Sequence, residues 1–183
     1  AGRLRHLRVG LAHNSRGRCI MLLLIDNYDS FTYNLVQMIN EIAPSTVDVF
    51  RNDEIALEAI KKYDKILLSP GPGIPSESGL LLPLIKEYAA SKSIFGVCLG
   101  QQAIGEAFGG SLSNLSKVYH GIATEVQTIH PSTLFNGMPE RFMVGRYHSL
   151  VVNENDLPKD LVVTSKDEDG YIMSLEHSKY DVK

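Results

Sequence analysis

Along the chain, apolar and polar positions change period repeatedly, and the changes mark alternating strands and helices. MLLLI at 21–25 is unbroken apolar sequence, as expected of a parallel strand buried on both faces. Phe31, Leu35, Met38, Ile39 and Ile42 then recur at helical spacing, with Ser30 as N-cap and Pro44 as terminator. TVDVF (46–50) alternates as a second strand, and EIALEAIKK (54–62) reads as a short helix carrying Ile55 and Ala59. KILLS (65–69) gives a third strand, followed by the loop PGPGIPSESG (70–79) and a helix over about 80–90. IFGV (94–97) is a fourth strand, running into Cys98 and a helix that ends near Gly109 and Gly110. From 111 onward the pattern changes to short strands broken by turn residues such as Asn136-Gly137 and Asp169-Gly170, with a last strand beginning near Lys179. Strands separated by helices predict an α/β fold of three layers with a mainly parallel central sheet and right-handed crossovers.

Composition changes this picture at one place. The 183 residues carry 18 Lys+Arg against 21 Asp+Glu, a formal net charge of −3, with 44% apolar residues and no Trp. That balance is ordinary for a globular chain, excludes a disordered or collagen-like one, and gives no electrostatic footprint for nucleic acid. The longest apolar run, 20–25, is far too short for a membrane span. Residues 1–20, however, hold Arg3, Arg5, Arg8, Arg16 and Arg18 and no acid. Without those five arginines, 21–183 has 13 basic and 21 acidic residues, a net charge of −8. The leader reads as an organelle-targeting peptide or as sequence upstream of an original start at Met21. Its arginines are poorly arranged for an amphipathic helix, which favours the second. Residues 21–183 are therefore expected to form the one folded domain. Cys19 and Cys98 are too few for a disulfide framework and lack metal-ligand spacing, so a reduced, cytoplasmic protein with no bound metal is expected.

The candidate chemistry lies where the fourth strand meets the next helix. Gly96-Val97-Cys98-Leu99-Gly100 is the cysteine form of a nucleophile elbow, whose sharp turn needs small neighbours. A thiol there gains from the helix N-terminus, expected to lower its pKa, and the Leu99 amide faces the place where an oxyanion would form. Flanking glycines on a strand-to-helix turn favour this over a small buried core cysteine. Pro70-Gly71-Pro72-Gly73 should sit at the same edge of the sheet, where open α/β sheets bind ligands. It matches no phosphate-binding pattern and is read as a rigid loop offering backbone N–H groups.

With these residues in place, the sequence resembles the class I glutamine amidotransferases, specifically the glutaminase subunits that serve anthranilate or para-aminobenzoate synthesis. The resemblance is carried by IDNYDSFTYNL (25–35), LLSPGPGIPSESG (67–79), GVCLGQQAIGEAFGG (96–110), KVYHG (117–121) and GRYHSL (145–150). It implies a flavodoxin-like amidotransferase fold and Cys98 as the nucleophile that forms a thioester with glutamine and releases ammonia. Leu99 and Gly73 would supply the oxyanion-hole N–H groups. Gly71, Pro72, Gly73, Gln102, Ser149 and Leu150 would bind glutamine. The partner would be a chorismate-binding synthase subunit, which alone would use magnesium; no cofactor is implied for this chain. The resemblance does not separate the two partners. IDNYDSF would contact that partner, or serve only as a turn in which Asp29 and Ser30 cap the helix.

The pattern departs from the family at the base. The family's catalytic His and Glu lie in a His-Pro-Glu motif on a late strand, and this sequence has none. His130-Pro131-Ser132 precedes the RYHSL block instead of following it and lacks the acid, while His148 and His177 have no orienting carboxylate at a recognisable spacing. The sequence is thus expected to be truncated just before the catalytic pair, with little glutaminase activity of its own. A native loss of the pair would make it a non-catalytic regulatory or scaffold subunit.

Overall fold

The computed structural model describes residues 20–42, 46–115 and 118–183. The basic leader through residue 19, the expected helix stop at Pro44, and Lys117 of the KVYHG block lie outside the described residues.

The apolar run becomes β1 (Met21–Asp26), and its burial on both faces is explicit. Leu23 and Ile25 point into the larger core, whereas Leu24 joins Leu67 and Val36 on the opposite face. β2 (Thr46–Arg51), β3 (Lys65–Leu68) and β4 (Ser93–Gly96) complete a wholly parallel sheet in the order β2-β1-β3-β4. The register sets Ile25 beside Phe50 and Leu68, and Leu68 beside Gly96, so the chain leaves β1, β3 and β4 at one common edge. The strand order reverses at β1 and β3, which makes that edge the natural ligand crevice.

Helix α1 (Thr32–Ile42) covers the Leu24 face, and α2 (Leu81–Tyr88) with α3 (Leu99–Ala107) covers the other. These are the three expected layers. Two local expectations change. The buried line of α1 runs through Thr32, Leu35, Val36 and Ile39, while Phe31, Met38 and Ile42 face outward. Ser30 does not cap the helix: the Asp29 carboxylate accepts from the Phe31 amide at 2.7 Å, and Asp26 accepts from the Asp29 amide and the Thr32 hydroxyl. Tyr28, at φ +59°, turns the chain so that these carboxylates reach the amides first.

The segment read as a helix over 54–62 is a turn followed by a 3-10 helix at Leu57–Lys62. Six residues are too few to offset α-helix nucleation, and i→i+3 bonding suffices to seat Ile60 in the core.

The second half forms short strands, as its turn residues predict. β5 (Leu112–Asn114) pairs with β8 (Leu150–Val152). β6 (Ile122–Thr128), β7 (Arg141–Arg146), β9 (Leu161–Asp167) and β10 (Ile172–His177) make an antiparallel sheet in the order β10-β9-β6-β7. Val152, Leu161, Ile172 and Leu175 from this half pack into the same core as Leu84 and Ile104. The strand expected near Lys179 is a short pairing of residues 181–183 alongside β4, parallel to it, with Val182 fully buried. Among the described residues, no helix is long and apolar enough to cross a membrane.

Candidate active site

Cys98 takes φ +55° and ψ −106°, a left-handed turn that costs a non-glycine residue about 1–3 kcal/mol and clusters at functional sites. The two flanking glycines make the turn possible by close approach. A Cβ on Gly96 would stand 2.4 Å from the Gly100 carbonyl carbon, and one on Gly100 would stand 2.6 Å from the Leu68 carbonyl oxygen. β3, β4 and the first turn of α3 therefore meet backbone to backbone, and the thiol is set at the sheet edge.

The adjacent Leu99 amide lowers the thiol pKa, but burial outweighs that and pushes Cys98 above the ordinary thiol range; Asp29 adds a smaller upward push. The expectation that the helix N-terminus lowers the thiol pKa is corrected: desolvation at the buried elbow is the larger effect, and the net shift is upward.

The loop after β3 is wedged against this elbow. At Gly71, a Cβ would lie 2.5 Å from the Asn27 Cβ and 2.8 Å from the Leu99 side chain, so glycine alone lets the loop pass between the β1 exit and α3. Gly73 follows at φ +79°, and Pro72 lines a cleft of about 440 Å³ with Asn27, Tyr28, Asn52, Asp53 and Glu77. Three residues that the sequence reading did not single out clamp these loops together. The Asn27 side chain donates to the Ser69 carbonyl at 2.8 Å, its amide donates to the Ser69 hydroxyl, and Asn52 donates to the Asn27 side-chain oxygen. All three are buried, and a polar residue directly after an apolar strand is the signal that marks Asn27 and Ser69.

Gln102, one turn along α3, is buried and reaches the RYHSL segment, donating to the Leu150 carbonyl at 3.0 Å. The structure thus unites Cys98, Leu99, Gly71 and the Gln102–Leu150 pair around one edge. The Gln102 amide nitrogen is engaged by backbone, which leaves its oxygen for a ligand. The Ser149 carbonyl is directed away, accepting from the Leu115 amide at 2.8 Å.

No histidine among the described residues hydrogen-bonds Cys98. His148 has both ring nitrogens engaged, Nδ1 to the Leu150 carbonyl and Nε2 to the Arg146 Nε, each at 3.0 Å. His177 is buried between Tyr180 and Phe108, and its Nδ1 accepts from the Lys179 and Tyr180 amides. Burial holds both imidazoles below their ordinary pKa. His130 lies on an exposed loop against the Pro131 carbonyl, where Ser132 caps the following turn and donates to Glu176. None of the three reaches the thiol through a hydrogen bond.

The chain is 42% identical over 164 residues to anthranilate synthase component 2 of Lactococcus lactis, covering 88% of this chain and 82% of that one. It is 40% identical over 165 residues to the aminodeoxychorismate/anthranilate synthase component 2 of Bacillus subtilis, covering 89% and 84%. To the chloroplastic anthranilate synthase beta subunit 2 of Oryza sativa subsp. japonica it is 46% identical over 165 residues; that match covers 87% of this chain but 60% of the rice protein. A bifunctional protein of Thermotoga maritima is matched over 27% of its length, so the chain spans only part of several relatives. The solved structure of a glutamine amidotransferase from Thermotoga maritima superposes with a TM-score of 0.69 at 16% identity, covering 87% of this chain and 72% of that one, which shows the shared fold. From residue 23 to residue 182 the chain also fits the family model described as glutamine amidotransferase class-I, and it belongs to that family.

Proposed function

We propose that this chain is the nitrogen-supplying subunit of an anthranilate synthase. The observation that carries the reading is Cys98 itself, held at a strained elbow between Gly96 and Gly100 at the head of α3, in a chain 40–46% identical to synthase component 2 and beta subunits. In the proposed reaction the Cys98 thiolate attacks the side-chain carboxamide carbon of glutamine. The carbonyl oxygen becomes an oxyanion held by the Leu99 and Gly73 amides; as it collapses, the amide nitrogen takes a proton from water and leaves as ammonia, giving a thioester. Water then cleaves the thioester to glutamate and restores the thiol. Gly71, Pro72, Gly73, Gln102, Ser149 and Leu150 hold the glutamine.

Ammonia passes to a chorismate-binding partner, to which the magnesium of the second reaction belongs. Exposed Tyr28, braced by Asp53 and by Arg51 over its ring, is the proposed contact at that edge. The dual name of the Bacillus subtilis relative favours a second reading, in which the same subunit also serves aminodeoxychorismate synthesis.

The test mixes this chain with each chorismate-binding synthase subunit and follows glutamine-dependent product formation. Glutamine-dependent anthranilate is expected with the first, at a rate lowered by the lack of a general base at Cys98. Failure to bind either subunit, together with labelling of Cys98 that glutamine does not block, would overturn the reading. Because no described histidine hydrogen-bonds Cys98, ammonia release by this chain is expected to be ~10²–10⁴-fold below that of a thiol served by a general base. A rate without that deficit would instead implicate His148 or His177 as base.

A further inference from the structure

We propose that His148 is a positioning residue of the glutamine pocket, fixed by Arg146 in a single tautomer so that it holds the Leu150 carbonyl in place. The inference deepens the amidotransferase reading and rests on it.

Hydrogen-bond chemistry fixes the tautomer. The Arg146 Nε only donates, so His148 Nε2, 3.0 Å away, must be the accepting nitrogen. The Leu150 carbonyl only accepts, so His148 Nδ1, also at 3.0 Å, must carry the proton. A doubly protonated ring would set an Nε2–H against the Arg146 Nε–H, so the network requires neutral imidazole.

Arg146 is in turn held by buried partners. It is 1% exposed, pairs with the buried Asp167 carboxylate, and lies with its guanidinium carbon 3.6 Å from the centre of the Tyr119 ring. Tyr119 also stacks on His148, with ring centres 6.3 Å apart, and donates its hydroxyl to Asp169. The chain Asp167, Arg146, His148 therefore runs from the interior of the antiparallel sheet to one backbone oxygen.

That oxygen joins the two halves of the site. The Leu150 carbonyl accepts from His148 and from Gln102, which lies one helical turn beyond Cys98. One donor would satisfy it; two donors from different elements fix its direction, and with it the Gln102 side chain and the Ser149 and Leu150 backbone. His148 touches neither the thiol nor, on this geometry, the reacting carbon. It sets how well glutamine is held and leaves the reactivity of the nucleophile alone.

The experiment uses the full chain and 6-diazo-5-oxo-L-norleucine, a glutamine-shaped diazoketone that alkylates the thiol, with labelling of Cys98 followed by mass spectrometry. Wild type should label saturably and be protected by glutamine. His148→Ala should raise the half-saturating concentration ~10-fold, with the limiting rate and the rate with iodoacetamide changed less than ~2-fold. His148→Asn, whose amide N–H replaces Nδ1–H, should return it to within ~3-fold of wild type, and His148→Gln, which lacks a donor at that place, should not. If the alanine variant fails to fold, the Asn and Gln pair decides. An unchanged half-saturating concentration, equal behaviour of Asn and Gln, or a matching fall in iodoacetamide reactivity would each overturn the proposal. Wild-type labelling without glutamine protection would overturn the amidotransferase reading itself and this inference with it.

Discussion

The Gly96 amide donates to the Lys183 carbonyl at 2.8 Å, two residues ahead of Cys98. The Ile94 amide and carbonyl bond to Asp181 and Lys183 in the same ladder, so residues 181–183 run parallel to β4 toward the edge that bears the nucleophile. This pairing ties the end of the antiparallel half to the strand that builds the elbow. The first consequences are energetic.

Val182 is fully buried in the main core, and Val182→Ala is expected to cost ~1–3 kcal/mol in urea unfolding. Val182→Thr keeps the shape and adds a buried hydroxyl, so it should also destabilise. An unchanged midpoint in both would mean that the pairing contributes little.

The same ladder has a pH dependence with a definite sign. Lys183 and Ser93 hydrogen-bond the Asp181 carboxylate and hold its pKa below the ordinary value. A depressed folded pKa stabilises above the unfolded value, near 3.9, and that contribution disappears as pH falls through the folded value. Acidification below about pH 4 should therefore lower the urea midpoint of wild type more than that of Asp181→Asn.

The thiol gives a second pH signature. Burial and the Asp29 charge raise the Cys98 pKa, so its iodoacetamide reaction should have a midpoint above the ordinary thiol range. Asp29→Asn keeps the oxygen that accepts from Phe31 and removes the charge. Its midpoint should shift down and its rate at pH 8 should rise. A shift in the other direction would remove Asp29 from the electrostatics of the site.

Much of the site could be read from residue order because its causes are local. Gly96 and Gly100 flank Cys98 because three backbones meet there, and that constraint is written in five consecutive residues. The parallel strands were equally plain, since Leu23, Leu24 and Ile25 bury both faces and leave no polar position to alternate. What was illegible depends on tertiary contact. Phe31 and Leu35 have the same spacing pattern, and only packing against Leu24 and Leu67 shows that Leu35 faces the sheet and Phe31 does not. The balance of forces on Cys98 was hidden for the same reason: helix position is a sequence property, whereas burial of the thiol is not. Nor does the sequence show that His148 Nε2 meets Arg146, because that follows from how β7 ends over β9.

The elbow and the adjacent loop should respond differently to the same substitution. In Gly100→Ala the new methyl would stand 2.6 Å from the Leu68 carbonyl oxygen, and backbone must shift, at ~1–3 kcal/mol with loss of Cys98 labelling. In Gly73→Ala nothing lies within 4 Å, and the cost is the left-handed φ of +79°, ~1–2 kcal/mol. Gly73→Ala should therefore keep iodoacetamide reactivity at Cys98 while slowing glutamine turnover through a displaced amide. Equal loss of thiol reactivity in both would show that the two loops move as one.

The buried pair beneath the pocket supplies the last test, because its stability and its positioning role separate. The Arg146 and Asp167 side chains are 1% and 2% exposed, and Asp167 also accepts from the Tyr171 amide at 2.7 Å. Asp167→Ala leaves an uncompensated guanidinium in the interior and is expected to cost ~3–5 kcal/mol. Replacing both charges, as in Arg146→Met with Asp167→Leu, removes the unpaired charge and should recover most of that loss, since apolar pairs of similar volume often match a buried ion pair. It does not restore an Nε–H to fix the His148 tautomer. The double variant should thus unfold near the wild-type urea midpoint and still bind the diazoketone ~10-fold more weakly. Recovery of both properties together would mean that the ion pair serves the fold alone. Recovery of stability without affinity separates the packing of the antiparallel sheet from the aim of the Leu150 carbonyl.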